Sequence, residues 1–340
     1  MEDVRFGIVG CGMIARYHAL AISDTAHAVL IGAYSRSRAS AEALCNDFSV
    51  RVFPDYEEML ACDEIDAVVI CTPSGDHFRQ AQAALLHGKH VVIEKPMCLS
   101  LAEADTLITL AGKKGRMACV ISQTRFSDAV QAIHAVLESG AAGRLISAAL
   151  TMRYARQQSY YDQAAWRGTR SGDGGGVLMN QGIHGIDVLC YLLGQPVSVC
   201  GYADTLLRSI EVEDTAIAAV KFSSGALACI DATVCSEPSF AKKLNICTES
   251  GTILLEEDAI TTWTLPIPCP LPMGSCSGSS AAADPRGITH RYHAREYENI
   301  VAHLTNGSPL LIDAQEGRIP LSVILGVYES SRSGKAVCLL

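Results

Sequence analysis

The sequence predicts an α/β fold in two parts: a doubly wound parallel sheet with helices over residues 1–123, then an α+β domain over 124–340 whose sheet is open and largely antiparallel. Three observations carry this. Short apolar, β-branched runs alternate with helix-length stretches as far as Ile121, the pattern of a parallel sheet with right-handed crossovers. A glycine-rich turn joins the first strand to the first helix. Beyond Gln123 the alternation gives way to runs typical of an antiparallel sheet, separated by turn signals.

Arg5 to Val9 reads as the first strand and runs into Gly10-Cys11-Gly12-Met13-Ile14-Ala15, a G-x-G-x-x-A turn opening a helix. Gly10 permits the tight turn, Gly12 the approach of a pyrophosphate, and Ala15 a close helix with its N-terminus toward phosphate. Ala28–Tyr34 is a second strand and Ala39–Phe48 a helix; Ile65–Ile70 is a buried strand ending at Cys71-Thr72-Pro73. A helix from Asp76 to His87 stops at Gly88. Val91-Val92-Ile93 is then a strand buried on both faces, ended by Glu94-Lys95-Pro96. In a parallel sheet Lys95 stands at the carboxyl edge, where such sheets bind ligands. A helix from Ser100 to Lys114 and a strand from Arg116 to Ile121 close the first part.

In the second part a helix (Ala129–Ser139) precedes strands at Leu145–Arg153, Val197–Ala203, Thr215–Phe222, Ala226–Val234 and Leu244–Thr248, with Ser224-Gly225 as a hairpin turn. Residues 265–287, rich in Pro, Gly, Ser and Ala, read as a surface loop with a substrate lid as the alternative. Helices at His290–Thr305 and Ala314–Ser331 end the chain.

The other informative stretch is Gly174–Asp187. Three glycines allow a close backbone passage before a helix, on which Asn180, His184 and Asp187 fall on one face at spacings of four and three. Histidine is the usual carrier of a proton near neutral pH. Tyr160, Tyr161 and Trp166 read either as an aromatic wall for the apolar face of a bound ring or as loop packing.

Composition narrows the field. The net charge of −9 has no basic block behind it, which argues against nucleic acid, and no apolar run approaches membrane-spanning length. The N-terminus resembles no signal peptide, and the fourteen cysteines form no CxxC pair. The expectation is a cytoplasmic protein with reduced core thiols (Cys71, Cys119, Cys190, Cys229 and Cys247 among them) and no metal.

Taken together, Gly10–Ala15, Glu94-Lys95-Pro96 and Gly174–Asp187 resemble the Gfo/Idh/MocA oxidoreductases. His18, Thr72-Pro73, His77, Gly88-Lys89-His90 and Trp166-Arg167 extend the resemblance over nearly the whole chain. It implies an N-terminal Rossmann domain, a C-terminal substrate domain, and NAD(P)-dependent hydride transfer at a hydroxyl-bearing carbon of a sugar, polyol or sugar derivative. Cofactor contact is then expected from Gly10, Gly12, Met13, Ile14, Ser35, Arg36, Thr72, Pro73, His77, Glu94, Lys95, Trp166 and Arg167. The catalytic set is Lys95, His184 and Asn180, with substrate also touched by Tyr160. Lys95 would hydrogen-bond the reacting oxygen while His184 exchanges its proton. Relatives often carry Asp at the position of Asn180, so the tuning of His184 differs here. The resemblance leaves open a glycoside-cleaving enzyme that oxidises its sugar transiently, and a non-catalytic nucleotide sensor. Ser35-Arg36-Ser37-Arg38 ends the second strand without a carboxylate, which favours NADP over NAD. The C-terminal sheet face is the expected seat of a homo-oligomer, a dimer or tetramer.

Overall fold

A computed structural model describes residues 3–274 and 289–339. The chain forms two compact units. The first runs through Gln123 and resumes over Thr289–Arg318; the second holds Thr124–Ile288 and Ile319–Leu340. The expected boundary after residue 123 is therefore only the first of three crossings, and 289–318 belong with the parallel sheet rather than with the second domain.

In the first unit the elements are β1 (Val4–Val9), α1 (Met13–Asp24), β2 (Ala28–Tyr34), α2 (Arg38–Phe48), β3 (Arg51–Val52), α3 (Tyr56–Ala61), β4 (Ala67–Ile70), α4 (Ser74–Leu86), β5 (His90–Ile93), α5 (Leu101–Lys114) and β6 (Ala118–Val120). The sheet order β3-β2-β1-β4-β5-β6, parallel throughout, is that of a Rossmann fold. All of β4 and the last three residues of β5 are buried, as their unbroken apolar runs require. Ser100 and Glu103 form a reciprocal capping box at the start of α5, and Gly115 in the left-handed region ends it. β3 and α3 were not anticipated, since two and six residues are too few to show a period.

The second unit contains α6 (Asp128–Glu138), β7 (Leu145–Arg153), α7 (Gln158–Tyr161), a π-helical turn (Val177–Gly182) leading into α8 (Ile183–Leu193), then β8 (Pro196–Asp204), β9 (Thr215–Phe222), β10 (Leu227–Thr233), β11 (Lys243–Thr248), β12 (Gly251–Glu256) and β13 (Ala259–Trp263). After them come α9 (Arg291–Asn306), which belongs to the first unit, α10 (Ala314–Ser333) with Pro320 inside it, and β14 (Val337–Cys338). The eight-stranded order is β13-β12-β11-β7-β10-β9-β8-β14, antiparallel except for the β7–β10 pair. Side chains on β9 alternate strictly between exposed or half-exposed and buried. The open face carries Tyr202, Ile217 and Leu227, each more than half exposed.

That face corrects one expectation: Cys229 is exposed on it and Cys247 half-exposed, so neither is a core thiol, whereas Cys71, Cys119 and Cys190 are buried. No described cysteine is in a disulfide. Among the described residues no helix is long and apolar enough to cross a membrane. Of the proline-rich segment, 265–274 are described, with the Trp263 indole donating to Ile267 O at 2.8 Å; the remainder, read as a surface loop or else a lid, lies outside the described residues.

In the first unit α9 packs on α1 and β1, bringing Tyr297, Ile300 and Val301 into one core with Phe6, Ala19 and Ile22. The Tyr297 ring meets Phe6 edge-on at 5.2 Å.

Candidate active site

Lys95 follows the last strand residue of β5 by two positions, and its backbone is pinned from two sides. Glu94, 6% exposed, accepts the Lys95 backbone N–H at 3.0 Å through one oxygen and the His18 imidazole at 2.9 Å through the other. An ionised carboxylate only accepts, so His18 Nε2 is the donor, while its Nδ1 lies 2.8 Å from the Tyr297 hydroxyl. Burial acts to raise the Glu94 pKa, but the hydrogen bond and charge of His18, with the nearby Lys95 ammonium, outweigh it and hold the carboxyl below its usual range. On the other side His77 is 1% exposed and bridges Pro96 O (2.7 Å) to Thr72 O (2.8 Å). It ties the turn after Lys95 to the end of β4. His77 and Glu94 thus lie beneath the surface, where they fix the backbone on either side of Lys95.

His293 completes this buried group. Its ring stands edge-on to His18 at 5.2 Å, and neither nitrogen has a hydrogen-bond partner among the described residues. Burial, then the neighbouring His18, pushes its pKa down to about 3. Donor atoms of His18, Glu94 and His293 lie within 4.8 Å of one another. The facing atoms of His18 and Glu94 are already hydrogen-bonded, however, and a dication there would add to the charge of Lys95.

The glycine turn fits a dinucleotide. Gly10 has φ +88°, and a Cβ on it would come within 2.7 Å of Thr72, so no other residue is accommodated. A Cβ on Gly12 would meet nothing within 4 Å, which leaves open the approach to the N-terminus of α1, whose N–H groups no side chain caps. Met13 is exposed and Ile14 half-buried beside them. At the end of β2, Ser37 caps α2, Arg38 pairs with Glu42, and Arg36, largely exposed, lies 3.6 Å from Asp76.

In the second unit the expectation of one continuous α-helical face is corrected. Asn180 sits in the π-turn and His184 in the first turn of α8, both half-buried, while Asp187 turns inward to a buried bidentate pair with Arg125 at 2.9 and 2.7 Å. Asp187 is structural. Tyr161 is also buried, 6% exposed, with its ring edge-on to that of Tyr160 at 5.1 Å. The Arg167 guanidinium lies 4.2 Å from the Tyr160 ring centre and 5.2 Å from that of Trp166, and Arg156 approaches Tyr160 at 5.5 Å. No carboxylate pairs with Arg167 among the described residues.

Sequence reasoning missed the carboxylates that hold this segment. Glu213 accepts Gly176 N–H (2.8 Å) and Leu178 N–H (2.9 Å), and its carbonyl takes Val177 N–H at 3.0 Å. A Cβ on Gly176 would fall 1.7 Å from that carbonyl, which explains the glycine. Tyr328 donates to Glu213 as well, at 2.8 Å. Asp214 accepts the N–H groups of Leu206, Leu207 and Arg208. Asp173 accepts from Asn180 Nδ2 at 2.8 Å. The available signal was a Glu-Asp pair immediately before a strand.

Residues 4–122 match the oxidoreductase family with the NAD-binding Rossmann fold of the Gfo/Idh/MocA type, and 130–254 match the Gfo/Idh/MocA C-terminal domain. The WlbA dehydrogenase of Bordetella pertussis, solved with NADH and UDP-GlcNAcA, is 31% identical over 100% of this chain and 98% of its own, with TM-score 0.90. The chain belongs to the Gfo/Idh/MocA family. Inositol 2-dehydrogenase of Rhizobium meliloti is 29% identical over 60% of this chain and 59% of the relative. The NADP-dependent scyllo-inositol 2-dehydrogenase of Bacillus subtilis is 23% identical over 100% and 97%. Three of the curated relatives are matched over only 53% to 66% of their length.

His293 gives the first unit a pH signature. Its folded pKa of about 3 lies below the unfolded value of about 6.5, so between them the unfolded chain binds more protons and stability falls as pH drops. His90, lowered to about 4 by burial and Arg116, acts with the same sign. Urea unfolding of His293→Phe at pH 7 and pH 5 should show a smaller loss on acidification than the parent, with the share of His90 remaining. An equal loss in both proteins contradicts this.

Proposed function

We propose that this chain transfers a hydride between NAD(P) and a hydroxyl-bearing carbon of a sugar derivative carrying an anionic group, such as a uronate or a nucleotide-linked sugar. The observation that carries the reaction is Lys95, fixed by Glu94 and His77 just beyond the carboxyl end of β5 and next to the glycine turn's strand neighbours. The nicotinamide, when bound, supplies the hydride acceptor or donor. An alcohol releases a hydride readily only as its proton leaves. Lys95 stabilises the oxygen as charge develops and His184 exchanges the proton, while Asn180 and Tyr160 orient the sugar. The anionic substrate class is supported by Arg156 and Arg167 on the Tyr160 ring, and by the UDP-GlcNAcA complex of the 31% identical relative. Cytoplasmic location is supported by the free described cysteines, and cell fractionation reads it.

NADP is assigned on Arg36. Its pair with Asp76 is long and exposed, worth about 1 kcal/mol at most, so the guanidinium is readily recruited by a 2′-phosphate. The 31% and 30% identical relatives hold NADH, which makes the choice a direct test. A second copy of the chain is assigned to the open sheet face. Tyr202, Ile217 and Leu227 stand on it, and the paired row Cys200, Ala219, Cys229 and Ala149 between them is small enough for a close approach.

Cofactor reduction with a panel of uronates, nucleotide sugars, free hexoses and cyclitols should rank anionic sugars first. Lys95→Met should lose about a hundredfold or more of turnover with nucleotide affinity kept; wild-type turnover in the variant sinks the role, and glycoside cleavage without net NADH points to transient oxidation instead. Arg36→Ala should weaken NADP much more than NAD, and a tighter NAD complex in the parent reverses the cofactor assignment. Ile217→Glu with Leu227→Glu should sediment as a monomer; an unchanged assembly places the interface elsewhere.

A further inference from the structure

We propose that Asp173 is a positioning residue for Asn180, and that the acid and amide of this pair can be exchanged whereas two acids cannot occupy it. The inference rests on the reading of Asn180 and His184 as reactive-site residues. Asp173 is 4% exposed and accepts hydrogen bonds from Gly168 N at 2.6 Å and from Asn180 Nδ2 at 2.8 Å. Because a carboxylate only accepts, the NH2 of Asn180 must face it, and the carbonyl oxygen of the same amide is thereby turned away. The side chain at 180 has one orientation, and its acceptor side is the one Asp173 does not occupy.

The backbone beneath is equally fixed. Asn180 N donates to Gly176 O at 2.9 Å, and Gly176 is itself held by Glu213. An acid at 180 would set two carboxylates at hydrogen-bond distance in a buried place, where both cannot stay ionised. The negative charge that the resemblance often puts at position 180 is supplied in this chain by Asp173, behind the amide. The pair also has a reversed solution. With the amide at 173 and the acid at 180, the amide oxygen still accepts from Gly168 N and its NH2 donates to the acid.

The test compares Asn180→Asp, Asp173→Asn and the double exchange. Asn180→Asp should lower kcat about tenfold at neutral pH and displace the pH profile, since the two acids share a proton. The double exchange should recover most of kcat with KM near the parent value, and raise the apparent pKa of the catalytic base, because the charge now sits on 180 itself. Asp173→Asn alone should lower that pKa. A double variant no better than Asn180→Asp, or an Asn180→Asp enzyme with the parent's kcat and profile, overturns the proposal. Melting temperatures read the pair without turnover. Asn180→Asp should lose stability at pH 8 and regain it at pH 5, where one acid is protonated, while the double exchange holds at both. If the parent turns over no sugar yet the melts follow this pattern, the pairing stands and the reaction assignment fails; melts without the pattern refute the pairing itself.

Discussion

The structure of the first unit depends on one buried carboxylate. Glu94 is removed from water at the end of a strand, and the groups around it supply what water would have given: an imidazole N–H, a backbone N–H and a neighbouring ammonium. An unpaired carboxylate in that position would be strongly destabilising. The compensation requires His18 from α1 and, behind it, Tyr297 from α9, so α1, β5 and α9 are locked by one chain of hydrogen bonds. Lys95 inherits its placement from this arrangement.

The second unit solves a similar problem with carboxylates from the loop before β9. Glu213 and Asp214 are consecutive, yet they serve different segments: one the glycine-rich turn leading to His184, the other the backbone of 206–208. Irregular backbone beside a binding site must satisfy its own N–H groups. Here acidic side chains do so, and the π-turn is the local geometry that results.

Much of this was legible because its causes are local. The glycine turn, the double burial of β4 and β5, and the stop near Lys95 are written in adjacent residues, and the structure ends β5 at Ile93. Strands β7 to β11 were equally plain from alternation, whereas β12 to β14 were not read, and Gly225 forms the turn between β9 and β10. What sequence could not show are pairings across long separations. Nothing near His18 announces Tyr297, 279 residues away, and nothing near Asn180 singles out Asp173 over the other acids. The helical spacing of Asn180, His184 and Asp187 misled for a related reason: a π-turn shifts the period, and Arg125 claims Asp187 from 62 residues upstream. Cys229 misled because a strand open on one side looks like core when apolar residues point outward as well as inward, as Leu227 and Cys229 do.

The return of α9 to the first unit has a consequence for biosynthesis. A ribosome delivers β1 to β6 early, but the side chains that cover Phe6, Ala19 and Ile22 arrive only with residues 297–301. Until then the nascent nucleotide-binding half exposes an apolar face and leaves His18 without its phenol partner. Folding from the N-terminus, the usual order for domains on the ribosome, cannot finish here before most of the chain has emerged. Truncation after the sixth strand would produce not a small nucleotide-binding protein but a sheet with its α9 side uncovered.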